Sequence, residues 1–325
     1  MPIETRLTRR LKIQHPIILA PMGSVSGGAL ASAVTNAGGL GLIGGGYGDG
    51  VWLEEQFRAA GNARVGCGFI TWSLKQQPHL LDSALAHNPV ALFLSFDDPA
   101  PFARRIKDAG AALICQVQTR RGAEMALDAG ADVMVAQGAE AGGHAGSRAT
   151  LTLVPEVADL IAARAPATLL CAAGGIADGR GLAAALMLGA DGALVGSRFW
   201  ASEEALVHSG LHAAAIAATG DDTVQTRVTD IARGRSWPDA YRIRVVRNAF
   251  TERWHEHEDD LRAVAEREGP AFQAALAAGD ARIGTPIVGE AAGLIRSVDT
   301  AAAILERMTA EAETRLGAGA RLLAP

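Results

Sequence analysis

The chain has 325 residues, of which 49% are hydrophobic, 5% aromatic and 20% charged, and its formal net charge at pH 7 is −5. This length holds one large α/β domain, or one such domain with a small addition. The negative net charge and the lack of a basic cluster argue against nucleic acid as a partner. We expect no membrane partner either, because no apolar run is long enough to span a bilayer.

Three cysteines, Cys67, Cys115 and Cys171, fall inside apolar runs, and none belongs to a CxxC motif. This pattern is typical of buried, reduced thiols rather than disulfides or zinc ligands. His255 and His257 are two residues apart, so they do not share one face of a helix as a metal pair would. We therefore predict a cytoplasmic protein without a metal site, and we leave a homodimer open as its assembly.

Short apolar runs alternate with helical segments through the first two thirds of the chain. The runs are continuous rather than alternating, which is typical of parallel strands that are buried on both faces. The predicted strands are 16–20, 40–43, 65–70, 90–95, 112–117, 132–136, 168–172 and 191–195. The predicted helices are 26–36, 51–60, 78–86, 99–109, 119–129, 154–163, 178–188 and 203–217.

Eight consecutive strand–helix units predict an α/β fold, a closed (β/α)8 barrel of the TIM type. The alternative is a doubly wound open sheet, which would normally carry a GxGxxG motif where this chain has Pro21-Met22-Gly23-Ser24 after its first strand. The composition becomes more charged near residue 221. We predict a small, mostly helical inserted domain at 221–285 near the barrel mouth, with 1–220 and 286–325 forming the barrel.

The stretch after the sixth predicted strand, from Ala136 to Gly146, places His144 among four glycines. A histidine can exchange protons near neutral pH, and catalytic residues are common on loops that a rigid scaffold holds. The alternative is a mobile surface loop with an incidental histidine. Glu140, four residues earlier, is either a partner of His144 or a helix cap.

The loops after the last two strands are also rich in glycine. In barrels of this type these two loops often form a phosphate site from backbone N–H groups. Gly174, Gly175 and Gly196 would let the backbone approach phosphate oxygens, and Ser197 would add donors. Arg198 either supplies charge there or forms a salt bridge elsewhere. A phosphate site indicates a phosphorylated substrate or FMN, and ordinary turn formation is the alternative.

Four stretches of the sequence together resemble the nitronate monooxygenase family. They are Ala20-Pro21-Met22, the loop from Gln137 to His144, Ala173-Gly-Gly-Ile176, and Gly189 to Phe199. The similarity runs in order through most of the chain. It implies an FMN-binding barrel with a small inserted domain over the flavin.

The resemblance also implies roles for individual residues. His144 would stand near the flavin N5 and the substrate, and Gln116, where some relatives carry lysine, would bond a flavin edge. The isoalloxazine ring would lie along Ala20, Pro21, Met22 and Gly23 and close to Ala141, Gly142 and Gly143. The phosphate would be held by Gly174, Gly175, Gly196 and Ser197.

The activity that the resemblance implies is FMN-dependent oxidation of alkyl nitronates by O2, giving a carbonyl compound and nitrite. His144 would act as a base toward a nitroalkane or, as a cation, would stabilise the nitronate, and the two roles need opposite protonation states. Many relatives carry arginine after the histidine, where this chain has Ala145. The alternatives are an FMN-dependent NAD(P)H reductase acting on quinones or enoyl thioesters, and a non-catalytic barrel, with or without flavin, that has an interaction role.

Overall fold

The computed structural model describes residues 2–319. Residues 1 and 320–325, which the prediction assigned to the barrel, lie outside the described residues. The strands are β1 (Ile17–Leu19), β2 (Leu42–Gly46), β3 (Gly66–Ile70), β4 (Ala91–Ser95), β5 (Ala112–Val117), β6 (Val133–Gln137), β7 (Gly143–Ala145), β8 (Leu169–Ala173), β9 (Gly192–Val195), β10 (Thr223–Thr226) and β11 (Arg242–Val246).

The helices connect these strands and close the chain. They are α1 (Arg6–Leu11), α2 (Gly28–Asn36), α3 (Gly50–Ala60), α4 (Thr71–Leu74), α5 (His79–Ala86), α6 (Ala100–Asp108), α7 (Arg120–Asp128), α8 (Thr150–Arg164), α9 (Gly179–Met187), α10 (Ser197–Trp200), α11 (Ser209–Ala217), α12 (Val228–Ala232), α13 (Ala249–Trp254), α14 (Glu258–Ala263), α15 (Ala265–Ala278) and α16 (Ala301–Gly319). Two 3-10 helices span Gly220–Asp222 and Glu290–Leu294.

Eight parallel strands form a barrel in the order β1, β9, β8, β6, β5, β4, β3, β2. The first and last strands of this order, β1 and β2, are joined through Leu40, just before β2, and this contact closes the barrel. There the Leu40 N–H donates to the Ile17 carbonyl at 3.0 Å, and the Leu19 N–H donates to the Leu40 carbonyl at 2.9 Å. The predicted barrel is therefore confirmed, and the open-sheet alternative is wrong.

Successive side chains on a barrel strand enter two different cores. Ile18, Phe93 and Cys171 belong to the cluster inside the barrel, whereas Ile17 and Leu19 pack outward against the helices. Both faces of each strand are thus apolar, which explains the continuous hydrophobic runs in the sequence. All three cysteines are buried free thiols, as predicted, and burial raises the pKa of Cys67 to about 12.

Two helices begin four or more residues away from their predicted starts. Helix α8 begins at Thr150, before the predicted start at 154. The Glu140 carboxylate caps this earlier start, because it accepts hydrogen bonds from the Thr150 N–H and from the Thr150 hydroxyl, both at 2.9 Å. Pro155 therefore lies inside the helix rather than in its first turn. Helix α11 begins at Ser209 rather than at the predicted 203. His208 caps it, because its side chain accepts a hydrogen bond from the Gly210 N–H.

The segment 221–285, predicted to be mostly helical, holds four helices and also two strands that were not predicted. Strands β10 and β11 pair antiparallel, and β11 pairs on its other side with β7. Strand β7 consists of Gly143, His144 and Ala145, a stretch for which the sequence predicts a loop. Its partner β11 lies about a hundred residues later, so no local sequence feature could show the pairing.

Candidate active site

A cavity at the C-terminal ends of the barrel strands brings together every residue that the sequence analysis placed in the site. With its open mouth it has an empty volume of about 1260 Å³. The segment 221–285, called the inserted segment below, also lines the cavity, with Arg233, Trp237 and Ile243. The predicted residues in its wall are Ala20, Pro21, Met22, Gly23, Gln116, Ala141, Gly142, Gly143, His144, Gly174, Gly175, Gly196 and Ser197.

The turn after β1 packs directly against strands β2 and β3. A Cβ at Gly68 would lie 2.5 Å from the Pro21 Cβ, and a Cβ at Gly44 would lie 2.5 Å from the Met22 carbonyl carbon. The glycines in β2 and β3 thus let this turn approach closely. The turn is fixed by backbone packing on one side and borders the cavity on the other.

The loops after β8 and β9 present backbone donors to the cavity. The N–H groups of Gly174, Gly175 and Gly196 form no hydrogen bond within residues 2–319. Gly174 and Gly175 have φ of +99° and +74°, conformations that L side chains rarely adopt. A Cβ at Gly196 would meet only Ala20 and Met22, both at 3.5 Å or more. Unpaired N–H groups beside open space fit the oxygens of a phosphate.

Two arginines near the predicted site are engaged elsewhere. Arg198 is buried and donates to the Asp299 carboxylate at 2.9 Å and to the Ser297 carbonyl at 2.9 Å. Burial lowers the pKa of Arg198 to about 10. Arg148 forms an ion pair with Glu156 at 2.7 Å. The structure thus supports the salt-bridge interpretation of Arg198, and the phosphate-like cradle consists of backbone groups.

Gly142 lacks a side chain for a reason that the sequence could not show. A Cβ there would lie 2.6 Å from the Gly289 nitrogen and 2.6 Å from the Val288 carbonyl carbon. The backbone of 288–289 therefore needs this glycine, whether or not a ligand is near. Gly143 has φ of +76°, so the strand that carries His144 begins with a conformation that favours glycine.

His144 is 8% exposed and forms a hydrogen bond with an acid that the sequence analysis missed. Its Nε2 lies 2.8 Å from Oδ2 of Asp230, which is 86 residues later in the chain. The other carboxylate oxygen of Asp230 accepts from Arg233 at 3.0 Å. Glu140, the alternative partner, caps helix α8 instead.

The electrostatic surroundings of His144 favour the neutral imidazole. Burial is the largest effect on the pKa of His144 and lowers it, and the nearby Arg233 also lowers it. The hydrogen bond and the charge of Asp230 raise it, and the net pKa lies below the ordinary value of 6.5. At neutral pH the ring is thus uncharged and retains one basic nitrogen.

Three glutamines connect the histidine strand to the barrel. The Gln137 side-chain oxygen accepts from Gln116 at 3.1 Å and from Gln118 at 2.9 Å. The Gln137 nitrogen donates to the His144 carbonyl at 3.2 Å. One N–H of the Gln116 amide is thereby paired, while its side-chain oxygen forms no hydrogen bond within the described range. Gln116 thus offers the cavity an acceptor.

Aromatic side chains surround the imidazole, although aromatic residues make up only 5% of the chain. The Trp237 ring lies parallel to the His144 ring, with centroids 3.4 Å apart. The Trp237 Nε1 donates to the Tyr47 hydroxyl at 2.8 Å. Phe96 and Tyr241 contact Trp237 edge-on, with centroids 5.0 and 6.2 Å away. These rings make the histidine end of the cavity apolar.

The family model for nitronate monooxygenase matches residues 4–65 and 72–311 of the chain. The chain belongs to this family. The resemblance expected from the sequence is confirmed, and the chain is an oxidoreductase of the nitronate monooxygenase family.

Relatives of this chain are named for different activities. It is 33% identical to a nitronate monooxygenase of Metarhizium robertsii, over 92% of this chain and 91% of that protein. It is 34% identical to (3aS,4S,5R,7aS)-5-hydroxy-7a-methyl-1-oxo-octahydro-1H-indene-4-carboxyl-CoA dehydrogenase of Mycobacterium tuberculosis, over 71% of this chain and 65% of that one. Its structure is similar to FabK from Thermotoga maritima, with a TM-score of 0.87 and 30% identity, covering 99% of this chain and 100% of the other.

Across 2–319, no three or more His, Cys, Asp or Glu side chains are grouped so that they could hold a metal ion. No helix in the same range is long and apolar enough to cross a membrane.

Proposed function

We propose that this protein oxidises alkyl nitronates with O2 in an FMN-dependent reaction that gives a carbonyl compound and nitrite. The observation that carries this proposal is the pairing, in one cavity, of a buried neutral histidine with a cradle of unpaired backbone N–H groups. The similarity to a nitronate monooxygenase over nine tenths of both chains supports it.

The residues that line the cavity fit FMN. Gly174, Gly175 and Gly196 would donate backbone N–H groups to the phosphate, with the Ser197 N–H beside them. The Pro21–Gly23 turn and the Ala141–Gly143 stretch would border the ring system, and the Gln116 oxygen would accept from one of its N–H groups. Bound FMN would supply the redox chemistry, taking electrons from the substrate and passing them to O2.

His144 supplies the proton chemistry of the proposed reaction. Because burial keeps the imidazole neutral, it can accept the proton from the carbon beside a nitro group and so generate a nitronate in the site. Of the two roles that the sequence left open, this starting state favours the base. The aromatic rings around it reduce the access of water, which strengthens polar interactions with the substrate.

The direct test is turnover by purified protein reconstituted with FMN. We expect O2 consumption and nitrite release when propane 2-nitronate is added. His144→Ala should reduce turnover of the neutral nitroalkane more than turnover of the preformed nitronate, because only the former needs a base. Absence of nitrite from every small nitronate tested with the FMN-loaded protein would show that the proposed activity is wrong.

A second candidate is an FMN-dependent NAD(P)H reductase acting on quinones or enoyl thioesters. The similarity to a carboxyl-CoA dehydrogenase favours it, since that protein acts on a CoA thioester according to its name. Rapid loss of the FMN absorbance on anaerobic mixing with NADH or NADPH would support it. A protein that takes up no FMN would exclude both candidates and support the flavin-free barrel.

A further inference from the structure

The Asp230 carboxylate is held in place from both of its oxygens. Oδ2 lies 2.8 Å from Nε2 of His144, and Oδ1 accepts from Nη2 of Arg233 at 3.0 Å. Arg233 also donates from Nε to the Thr229 carbonyl at 3.1 Å, so its guanidinium is fixed against helix α12. The side chains of His144 and Asp230 are 7% and 5% exposed. This burial excludes the water that would otherwise compete for their hydrogen bond.

An ionised carboxylate only accepts hydrogen bonds, so the proton of the neutral imidazole must lie on Nε2. The other ring nitrogen, Nδ1, forms no hydrogen bond within residues 2–319. One face of the ring is covered by Trp237, and Phe96 contacts the ring edge-on at a centroid distance of 6.3 Å. Nδ1 is thus the one basic atom of His144 that remains for a ligand in the cavity.

We propose that Asp230 and Arg233 are positioning residues that hold His144 as the Nε2–H tautomer, so that Nδ1 is the atom that accepts the substrate proton. The identity of that proton rests on the proposed function, whereas the tautomer and its cause do not. The pair comes from the inserted segment, and the histidine comes from the loop after β6. The inserted segment therefore completes the base that the barrel loop carries.

The charges that act on the ring are those of Asp230 and Arg233, and they act in opposite directions. Asp230 raises the pKa of His144, and Arg233 lowers it. The two aromatic rings in contact with the imidazole, those of Trp237 and Phe96, are uncharged. The residue opposite His144 on β11, Ile243, is uncharged as well. The Tyr47 phenol, which bonds Trp237, stays neutral because burial raises its pKa.

The experiment is ¹⁵N NMR of the full-length protein labelled at histidine, with the His144 signals assigned by their loss in His144→Gln. We expect the wild type at neutral pH to show a protonated Nε2 and an unprotonated Nδ1. In a pH titration, Asp230→Asn should lower the pKa of His144 and Arg233→Gln should raise it. A merely structural role for the pair would not give shifts of opposite sign.

The matched control is Asp239→Asn. Asp239 lies on the same inserted segment and is exposed, and it pairs with Arg227 rather than with the histidine. It should leave the tautomer and the pKa of His144 unchanged. In the activity assay, Asp230→Asn should reduce kcat for a neutral nitroalkane by roughly 10- to 100-fold, by analogy with the loss seen when the hydrogen-bond partner of a metal-bound histidine is removed, with KM changed far less.

A proton on Nδ1 in the wild type, or the same His144 pKa in Asp230→Asn and Arg233→Gln as in the wild type, would overturn the proposal. If the Asp230 variant does not fold, Arg233→Gln still tests it, because that change leaves the His144–Asp230 hydrogen bond in place. The NMR measurement needs no substrate. Failure of nitrite release with the expected tautomer would thus reject the proposed function alone, and nitrite release with the wrong tautomer would reject this inference alone.

Discussion

Gly142 and Gly196 line the same cavity, yet they lack side chains for different reasons. The space beside Gly142 is filled by the backbone of 288–289, whereas the space beside Gly196 borders Ala20 and Met22 at ordinary contact distance. One glycine thus serves the fold and the other leaves room in the cavity. Alanine at each position should separate the two roles.

We predict that Gly196→Ala weakens FMN binding by at least tenfold while changing the free energy of unfolding by less than about 0.5 kcal/mol. The new methyl group would make only ordinary contacts with Ala20 and Met22, and alanine readily adopts the φ of −105° found there. It would, however, stand where the phosphate is proposed to approach. Fluorescence titration with FMN and urea unfolding measure the two quantities, and unchanged affinity would contradict the proposed phosphate position.

For Gly142→Ala we predict the converse, a loss of roughly 1–3 kcal/mol of stability, because its Cβ would overlap the Val288–Gly289 backbone. Gly317→Ala is the control, since a Cβ there meets nothing within 4 Å and alanine favours helix α16. Urea unfolding of the three proteins checks this. Equal midpoints for Gly142→Ala and the wild type would show that the backbone of 288–289 moves aside at little cost.

At the residue scale, the sequence predicted which residues border the cavity. It did not show which distant residues those residues contact. The glycine-rich loops follow strand ends, so their place at the barrel mouth could be predicted from the strand count. The partner of Gly142 at 288–289 and the partner of His144 at 230 are distant in the chain. No local pattern around either residue identifies them.

The segment between α12 and β11 is the element that encloses the histidine end of the cavity. Trp237 stacks on His144, and its Nε1 is tied to Tyr47 across the cavity. Arg235, in the same segment, lies over the Tyr47 ring at 4.2 Å. The segment thus holds an indole against the proposed base by stacking and a hydrogen bond.

We predict that Trp237→Ala shifts substrate preference toward bulkier nitronates, because it removes the largest ring beside His144. The ratio of kcat/KM for phenylnitromethane nitronate to that for propane 2-nitronate should rise about tenfold or more, since a well-placed apolar group is worth about 1–3 kcal/mol in selectivity. Trp237→Phe, which keeps a ring that can stack, should change the ratio much less. An unchanged ratio in Trp237→Ala would place substrate elsewhere in the cavity.

The elements of this region were only partly predictable. Strand β11 reads Arg-Ile-Arg-Val-Val, with Ile243 and Val245 buried, and this partial alternation indicates a half-buried strand. The flanking and intervening arginines weaken this signal, because they make the segment resemble a charged surface stretch. Strand β7, by contrast, contains only three residues after a glycine-rich turn, and it exists because β11 pairs with it.

Across the whole molecule, Asp299 connects the last barrel strand to the final helix. It accepts from Arg198, which follows β9, and from Arg307 in helix α16. Hydrogen bonds from Ser297 and Arg307 hold the pKa of Asp299 below its ordinary value of 3.8. This contribution to stability is therefore present above pH 3.8 and is lost as the pH falls through the lower folded-state pKa.

We predict that Asp299→Asn destabilises the protein by about 1–3 kcal/mol at pH 7, because it leaves the buried Arg198 guanidinium without its counter-charge. The variant should also lose less further stability than the wild type as the pH falls from 4 to about 2, since it lacks the carboxyl whose pKa the fold lowers. Urea unfolding across this pH range measures both effects. Parallel pH profiles for the two proteins would show that Asp299 does not contribute to the acid limb.

The overall architecture was predictable because it repeats. Eight apolar runs separated by helical segments define the barrel, and each unit supports the interpretation of the next. The inserted segment has no such repetition, and its sheet forms from strands on either side of α8, β8, α9 and β9. The glycine-rich loops of the proposed cofactor site could therefore be predicted from the sequence, and the acid that pairs with the histidine could not.

The pairing of β7 with β11 makes the two ends of the cavity separable. The proposed phosphate site is formed by loops of the barrel alone, whereas His144 pairs with a strand and an acid from the inserted segment. Exchanging residues 223–246 for the corresponding stretch of a relative would thus replace the partners of His144 and leave the loops of the proposed phosphate site unchanged. A lineage of such barrels could change its chemistry by varying which side chain stands behind one histidine.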